Sequence, residues 1–372
     1  VELVKLRTRS FRNLCADEVE WTKGANLVLG GNGQGKTNLL EAVAVLGTLR
    51  SFRTANLRRL ARHGEGAFAV EGDLRVGAGT CNLQQVVENG PPMRRQLRLN
   101  GASVSAERYL GAFPVFAITS TDRELVVGAP SGRRSYLDRF AFLLEPSLYR
   151  FLREYRRALR QRNAALSAGA GDGELEVWEQ ALAASAARVV DARLAAVVCL
   201  RTAFEPLCRT LGGPGMPQVV MSYRGDPWWP PGQGPDDLAT EYGRRLVEQR
   251  SRDRGFGYTV DGPHRHDLGL RVEQRPVRDT LSSGQVRVVA AALRLAALGE
   301  VESALGDTVP MIIDDVDAEV DGKVLERLVA HLGGERQLLL SSAHEEMSAR
   351  IAGNRMWMSQ GVCSATQCGV NA

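Results

Sequence analysis

Lysine is scarce in this 372-residue chain. It stands only at Lys5, Lys23, Lys36 and Lys323, and every other strong base is arginine. The imbalance fits a coding bias toward arginine and makes Lys36 conspicuous. A compact ammonium on a flexible stem suits a phosphate there, and a guanidinium would not easily replace it. The six cysteines (Cys15, Cys81, Cys199, Cys208, Cys363, Cys368) form no C-x-x-C pair and have no histidine at a zinc-ligand spacing. That leaves free thiols rather than a zinc site. Long apolar runs are missing too. The run at 194–200 is far short of the ~18 residues a membrane helix needs, so no membrane partner is expected. The opening Val1-Glu2-Leu3-Val4-Lys5-Leu6 alternates like a strand and lacks the basic-then-apolar order of a leader, so a cytoplasmic location is expected. No repeat period suggests a solenoid. A net charge of +4 and a pI of about 8.8 fall just short of the strongly basic footprint of an obvious nucleic-acid binder, so global charge decides nothing about DNA.

What the chain does contain, 44% hydrophobic and 24% charged residues, suits a globular protein of two or three domains. Leu27-Val28-Leu29 reads as a buried strand and 36–49 as a helix, with Leu39, Leu40, Val43 and Leu46 at helical spacing. Residues 66–99 alternate as antiparallel strands, and Asn100-Gly101 marks a hairpin. Pro114-Val115-Phe116-Ala117-Ile118 is a further buried strand. From 133 to about 211 the pattern is helical, broken into two arms by the glycines at 169–173. A Pro/Gly-rich loop at 226–235 and a charged helix at about 236–254 follow. Strand character returns at Gly257-Tyr258-Thr259-Val260. A helix from Ser282 to about Leu305, a strand at 309–313, a helix at 323–332 and a strand at 337–340 complete the order. This βα alternation predicts an α/β fold: a head with a mixed sheet covered by helices, interrupted in sequence by a mainly helical insertion. The expected boundaries are 1–130 for the head's N-terminal half, 131–256 for the insertion and 257–372 for its C-terminal half.

Gly30-Gly31-Asn32-Gly33-Gln34-Gly35-Lys36-Thr37 fits the G-x-x-x-x-G-K-T pattern between a strand and a helix. Its glycines let successive N–H groups face one anion, and the helix start adds its dipole. Lys36 would reach the β- and γ-phosphates of ATP, and the Thr37 hydroxyl would ligate Mg²⁺. A glycine-rich turn can match this pattern by accident, but the flanking strand and helix argue against that. Met311-Ile312-Ile313-Asp314-Asp315 supplies the acidic strand end that such a loop needs. Asp314 would hold the metal, and Asp315 would polarise the attacking water. Leu281-Ser282-Ser283-Gly284-Gln285 opens a helix just before that strand, making a second anion trap. One nucleotide needs only one such trap, so this one would serve the nucleotide of a partner subunit. Alone, the pentapeptide is also a good cap and turn.

In that order these elements resemble the ABC-type ATPases, in particular the SMC-like branch that works on DNA, and within it the RecF-like proteins. The resemblance rests on Phe11-Arg12-Asn13-Leu14, the loop continued through Asn38-Leu39-Leu40-Glu41-Ala42, Arg50-Ser51-Phe52-Arg53, Arg133-Arg134-Ser135-Tyr136-Leu137-Asp138, Gly262-Pro263-His264-Arg265 with Asp267-Leu268, the 281–285 segment and Asp314-Asp315. It implies a head-to-tail, ATP-dependent homodimer. The loop residues 30–38 of one subunit and Ser282, Ser283, Gly284 and Gln285 of the other would clasp each nucleotide. It also implies a weak, DNA-stimulated ATPase, and action with RecO and RecR in loading RecA at single-strand gaps. Asp315 stands where ABC ATPases place Glu, which suggests slow hydrolysis, a switch rather than a pump. His266 takes the place of the first of two Asp usual after Gly-Pro-His-Arg. Asp321, in Ala318-Glu319-Val320-Asp321, matches the loop that crosses the dimer interface. His344 sits where a γ-phosphate-sensing histidine is kept, with a plain surface histidine as the alternative.

The residues say less about DNA. On the helix beginning near Ser147, Arg150, Arg153, Arg157 and Arg160 share one face, opposite Leu148, Phe151, Leu152, Tyr155 and Leu159. The stripe is either a solvated face or a set of phosphate contacts. Leu175, Trp178, Leu182 and Val189 line the second arm, enough for an antiparallel helical hairpin. Trp228-Trp229 could stack on bases or pack within their loop. Arg12, Arg50 and Arg53 are basic residues without an evident place. The rival to a DNA-repair ATPase is the soluble ATPase subunit of an ABC transporter, which should lack the long arm and carry a glutamine loop. Gln84-Gln85 lie inside a strand pattern instead. A small-molecule kinase would not need the 281–285 segment.

Overall fold

The computed structural model describes residues 1–15, 18–226, 234–316, 322–346 and 351–364. The strands are β1 (Glu2–Arg9), β2 (Val19–Glu20), β3 (Ala25–Leu29), β4 (Ala67–Val76), β5 (Gly79–Glu88), β6 (Arg94–Leu99), β7 (Ala102–Ser103), β8 (Phe116–Ile118), β9 (Val220–Arg224), β10 (Asp267–Val272), β11 (Arg275–Pro276), β12 (Met311–Ile313), β13 (Leu338–Ser342), β14 (Asn354–Ser359) and β15 (Val362–Ser364). The helices are α1 (Lys36–Thr48), α2 (Ala106–Ala112), α3 (Arg123–Val127), α4 (Pro130–Leu144), α5 (Leu148–Ser167), α6 (Asp172–Gly212), α7 (Pro235–Glu248), α8 (Arg250–Phe256), α9 (Ser283–Leu305) and α10 (Gly322–Leu332). The chain groups into two compact units. One holds Val1–Arg123, Leu207–Met216 and Ser282–Ala372; the other holds Glu124–Pro206 and Pro217–Leu281.

Two hydrophobic patterns build two sheets in the first unit. Strict alternation along β4 and β5 turns Phe68, Val70, Leu74, Leu83 and Val87 inward, the signature of a half-buried antiparallel sheet. Its order is β2-β1-β4-β5-β6-β7. The continuous apolar runs of β3, β12 and β13 are buried on both faces, as parallel strands require. They lie in the order β15-β14-β3-β13-β12-β8, parallel except for β15. Helix α1 shares one core with both sheets, which is why it is buried on nearly every side rather than along one stripe. Asn100 and Gly101 both have positive φ, 51° and 78°, the geometry that a two-residue hairpin between β6 and β7 demands.

The second unit is mainly helical, with a small antiparallel sheet of order β11-β10-β9. The two arms are α5 and α6, and the chain turns between them at Gly169, φ 71°. Leu175, Leu182 and Val189 are fully buried, and Trp178 packs on the cluster of Ala165, Leu166 and Leu175. Arg162 of α5 is completely buried. It donates to Asp253 at 2.6 Å and to Glu179 at 3.1 Å, and its Nη1 reaches the Thr259 hydroxyl at 2.8 Å. The strand expected at 257–260 is not formed. Thr259 N–H donates to the Asn163 side chain and Val260 N–H to Asp253, so these amides are satisfied without a ladder. The strand begins instead at Asp267, in register with β9. His266 bridges Asp226, 2.9 Å from Nε2, and the Tyr223 hydroxyl, 2.7 Å from Nδ1. In place of an aspartate it joins two strand ends through both ring nitrogens. Burial pushes the neighbouring His264 down to about 4, so its ring stays neutral beside Tyr155.

Candidate nucleotide-binding site

The parallel sheet sets the site. Strand β3 delivers the glycine loop, and β12, two places along, delivers Asp314; β13 lies between them. All three strands point the same way, so loop and acid leave at the same end. Thr37, in the first turn of α1, donates its hydroxyl to Asp314 Oδ1 at 3.0 Å, and Ser341 at the end of β13 donates to the same oxygen at 2.7 Å. Burial pushes the Asp314 carboxyl up, Ser341 and Thr37 pull it back, and Asp315 pushes it up again. Asp315 is exposed, has φ 53°, and is anchored through its N–H to Ser341 Oγ at 2.8 Å.

The loop is shaped for close approach. Gly30 has φ 147°, and a Cβ there would lie 2.3 Å from the carbonyl oxygen of Met358, so no other residue fits. Lys36 is buried, and its ammonium donates to the carbonyls of Gly30 and Gly31 at 2.7 and 2.9 Å. Helix α1 starts at Gly35, φ 116°, with no capping side chain. Its first N–H groups are therefore available to an anion. An uncapped helix start, an ammonium inside the loop and a hydroxyl on a buried carboxylate form the donor set that a nucleoside triphosphate with Mg²⁺ requires. Thr37 and Asp314 are the residues that would hold the metal.

Around the loop the structure gathers residues whose roles sequence reasoning missed. Glu41 is fully buried on α1 and accepts from Arg12 at 3.0 and 2.9 Å and from the Ser51 hydroxyl; Arg53 lies 3.7 Å away. Asn38 donates to Asn13 and accepts from Arg53. Two loops from distant parts of the chain are thus pinned to the helix that follows the phosphate loop. The signal was an acid standing within an apolar helical run. Gln34 is held by the turn between β14 and β15. Its carbonyl accepts from Gly361 N–H at 2.8 Å and its side chain from Gln360 N–H at 2.7 Å.

Ser282 caps α9 in a reciprocal box with Gln285, and Gln285 also donates to the Gly215 carbonyl at 3.2 Å. Ser282, Ser283 and Gly284 are exposed. Helix α9 packs on β8, three strands from β3, a separation of roughly 14 Å across the sheet. His344 is exposed just beyond β13, its backbone N–H and carbonyl both bonded to the Ser342 hydroxyl. Asp321, with its segment 318–321, and Trp228-Trp229 lie outside the described residues. Gln85 is buried on β5, and its amide has no hydrogen-bond partner among the described residues. Arg150, Arg153, Arg157 and Arg160 are all exposed on α5, with Arg150 paired to Glu154 and lying over Phe151.

The profile of the RecF/RecN/SMC N-terminal domain matches residues 2–362. The chain belongs to this family. Among curated members it is similar to the DNA replication and repair protein RecF of Anaeromyxobacter sp. strain Fw109-5, 34% identical over 354 residues and 95% of each chain. It is also similar to that of Acidothermus cellulolyticus, 37% identical over 353 residues, 92% of this chain and 94% of the relative. A structure of the recombination mediator RecF with ATPrS, from the RecFOR pathway, superposes with a TM-score of 0.85 at 25% identity, covering 97% of each chain. An SMC head bound to the winged-helix domain of ScpA shares the fold with a TM-score of 0.55 at 13% identity, covering 98% of this chain and 96% of that one. The RecF/RecN/SMC fold is therefore that of an ABC-type ATPase head carrying a second, mainly helical unit.

Proposed function

We propose that this chain is an ATP-gated, DNA-binding mediator of recombinational repair. The observation that carries the reading is the Thr37–Asp314 contact, 3.0 Å across 277 residues of sequence. It joins the phosphate loop and the acidic strand end into one site, while the serine-glycine start of α9 stays exposed on the surface. ATP binds to residues 30–38, with Thr37 and Asp314 holding Mg²⁺. The metal supplies charge neutralisation between the phosphates when bound. Lys36 leaves the loop carbonyls for the phosphate oxygens, and the first N–H groups of α1 face the same anion. Ser282, Ser283, Gly284 and Gln285 of a second copy close over the nucleotide, together with Asp321. Asp315 orients the attacking water and His344 senses the γ-phosphate. A carboxylate one methylene shorter than Glu makes hydrolysis slow, so ATP acts as a clamp and its hydrolysis as release. DNA is held at single-strand gaps, with Arg150, Arg153, Arg157 and Arg160 as phosphate contacts. RecO and RecR are the expected partners and RecA the protein loaded.

Relatives named for replication and repair leave the ABC-transporter subunit without support. No helix among the described residues is long and apolar enough to cross a membrane. A cytoplasmic location agrees with that reading. Light scattering with and without ATP tests the proposal. The wild type should double in mass with ATP. Ser282→Arg should stay monomeric yet bind ATP with unchanged affinity, because it damages only the partner's site. Loss of ATP binding by the monomeric variant would refute the shared site.

A further inference from the structure

The second unit contains a cavity of about 540 Å³ that neither the nucleotide site nor the α5 stripe uses. It lies where the turn before α4 meets one face of β10. Alternation along β10 turns Leu268, Leu270 and Val272 into the core and places Asp267, Gly269 and Arg271 on the other face. Four arginines line the cavity (Arg133, Arg224, Arg271 and Arg278) against the single carboxylate of Asp267. Arg133 takes that carboxylate completely, with Nε to Oδ1 at 2.8 Å and Nη2 to Oδ2 at 2.9 Å. Arg224 is the cross-strand neighbour of Asp267 and would be its natural partner. With both oxygens engaged it lies instead across Gly269, its Cδ 2.8 Å from where a Cβ would stand. Arg224 and Arg271 have no ion-pair partner among the described residues. Arg278 has only the exposed Asp279 at 3.5 Å, a contact that contributes little.

Three guanidiniums therefore share a cavity whose only acid is neutralised. Gathering like charges at a partly apolar surface is unfavourable unless an anion joins them. Helix α4 begins at the rim with Pro130, which has no N–H, and Gly132 N–H is bonded to the Ala129 carbonyl at 3.1 Å, so the guanidiniums are the donors here. Planar donor forks match phosphate oxygens. We infer that this cavity binds the phosphate backbone of nucleic acid, with Arg224 and Arg271 as its principal contacts. The inference rests on the DNA-binding reading above and adds a second contact region to the α5 stripe. An acidic protein segment is the competing ligand, disfavoured because the closely spaced phosphates of a nucleic-acid backbone can meet all three forks at once.

The test uses the full chain with ATP, a fluorescent gapped oligonucleotide and a salt series. The double variant Arg224→Ala/Arg271→Ala should bind about tenfold more weakly, with a plot of log affinity against log salt shallower by about 2. Arg224→Lys/Arg271→Lys should regain most of the slope. ATP-driven dimerisation of both variants should equal wild type, which shows that they are folded. An unchanged slope in the alanine variant, with wild type binding DNA normally, would overturn the cavity assignment alone. Wild type failing to bind DNA would overturn the function on which it rests. Competition by polyglutamate as strong as by an oligonucleotide of equal charge would reassign the cavity to an acidic protein.

Discussion

At the scale of single residues, the site is built at a cost to stability. Asp314 is buried, beside Asp315, with its proton affinity raised chiefly by burial. A carboxyl held above its unfolded pKa opposes folding fully at neutral pH, and the penalty fades as pH falls through the folded value. Asp314→Asn should therefore stabilise the nucleotide-free chain by about 1 kcal/mol at pH 7. The advantage should shrink on acidification, while Mg²⁺-dependent ATP binding is lost. Urea unfolding at pH 7 and near pH 4 measures both. A variant less stable than wild type at pH 7 would show that the Thr37 and Ser341 hydrogen bonds outweigh burial. Glu41 is the opposite case, a buried acid answered by two arginines and a hydroxyl. Its partners lie 29, 10 and 12 positions away in the chain, so the apolar helical run marks the acid but not the partners that answer it.

At the scale of elements, α5 separates what a helical pattern reveals from what it hides. The exposed stripe of Arg150, Arg153, Arg157 and Arg160 was legible, because amphipathic spacing places residues on faces. Arg162 carries the same side chain and lies buried, because Glu179 and Asp253 arrive from α6 and α8 to meet it. Replacing it removes one side of a buried pair and leaves Asp253 unanswered, which costs about 3–5 kcal/mol. Arg162→Ala should lose that much in denaturant unfolding, whereas Arg153→Ala should change stability by less than about 0.5 kcal/mol. Equal effects would mean that the buried network contributes nothing net. The misread strand at 257–260 has the same origin. Its strand-forming residues were real, but side chains of Asn163 and Asp253 took the amides that a neighbouring strand would have used.

At the scale of the whole molecule, the proposed function makes ATP hydrolysis the step that sets how long two copies stay together. Asp315 stands exposed beside the buried Asp314, and in the proposed function its charge polarises the attacking water. Asp315→Asn should keep ATP and the dimer for at least about tenfold longer than wild type, in the range expected for loss of a general base. Following dimer decay by light scattering after removal of free ATP reads this directly. Decay at the wild-type rate would assign the water to another residue.

The amino-acid sequence by itself determined the phosphate loop, the acidic strand end, the serine-glycine helix start and the alternation of strands and helices. Each of these is written in a few neighbouring residues, and their order along the chain, more than any one of them, singles out the reading. Tertiary structure alone decided that β13 brings Ser341 between loop and acid, that Glu41 ties Arg12 and Arg53 beside the loop, and that Arg133 claims Asp267 and leaves Arg224 and Arg271 over an open cavity. Those are pairings between residues tens to hundreds of positions apart. Charges so far apart in sequence choose partners only after sheets and helices have fixed which of them can meet.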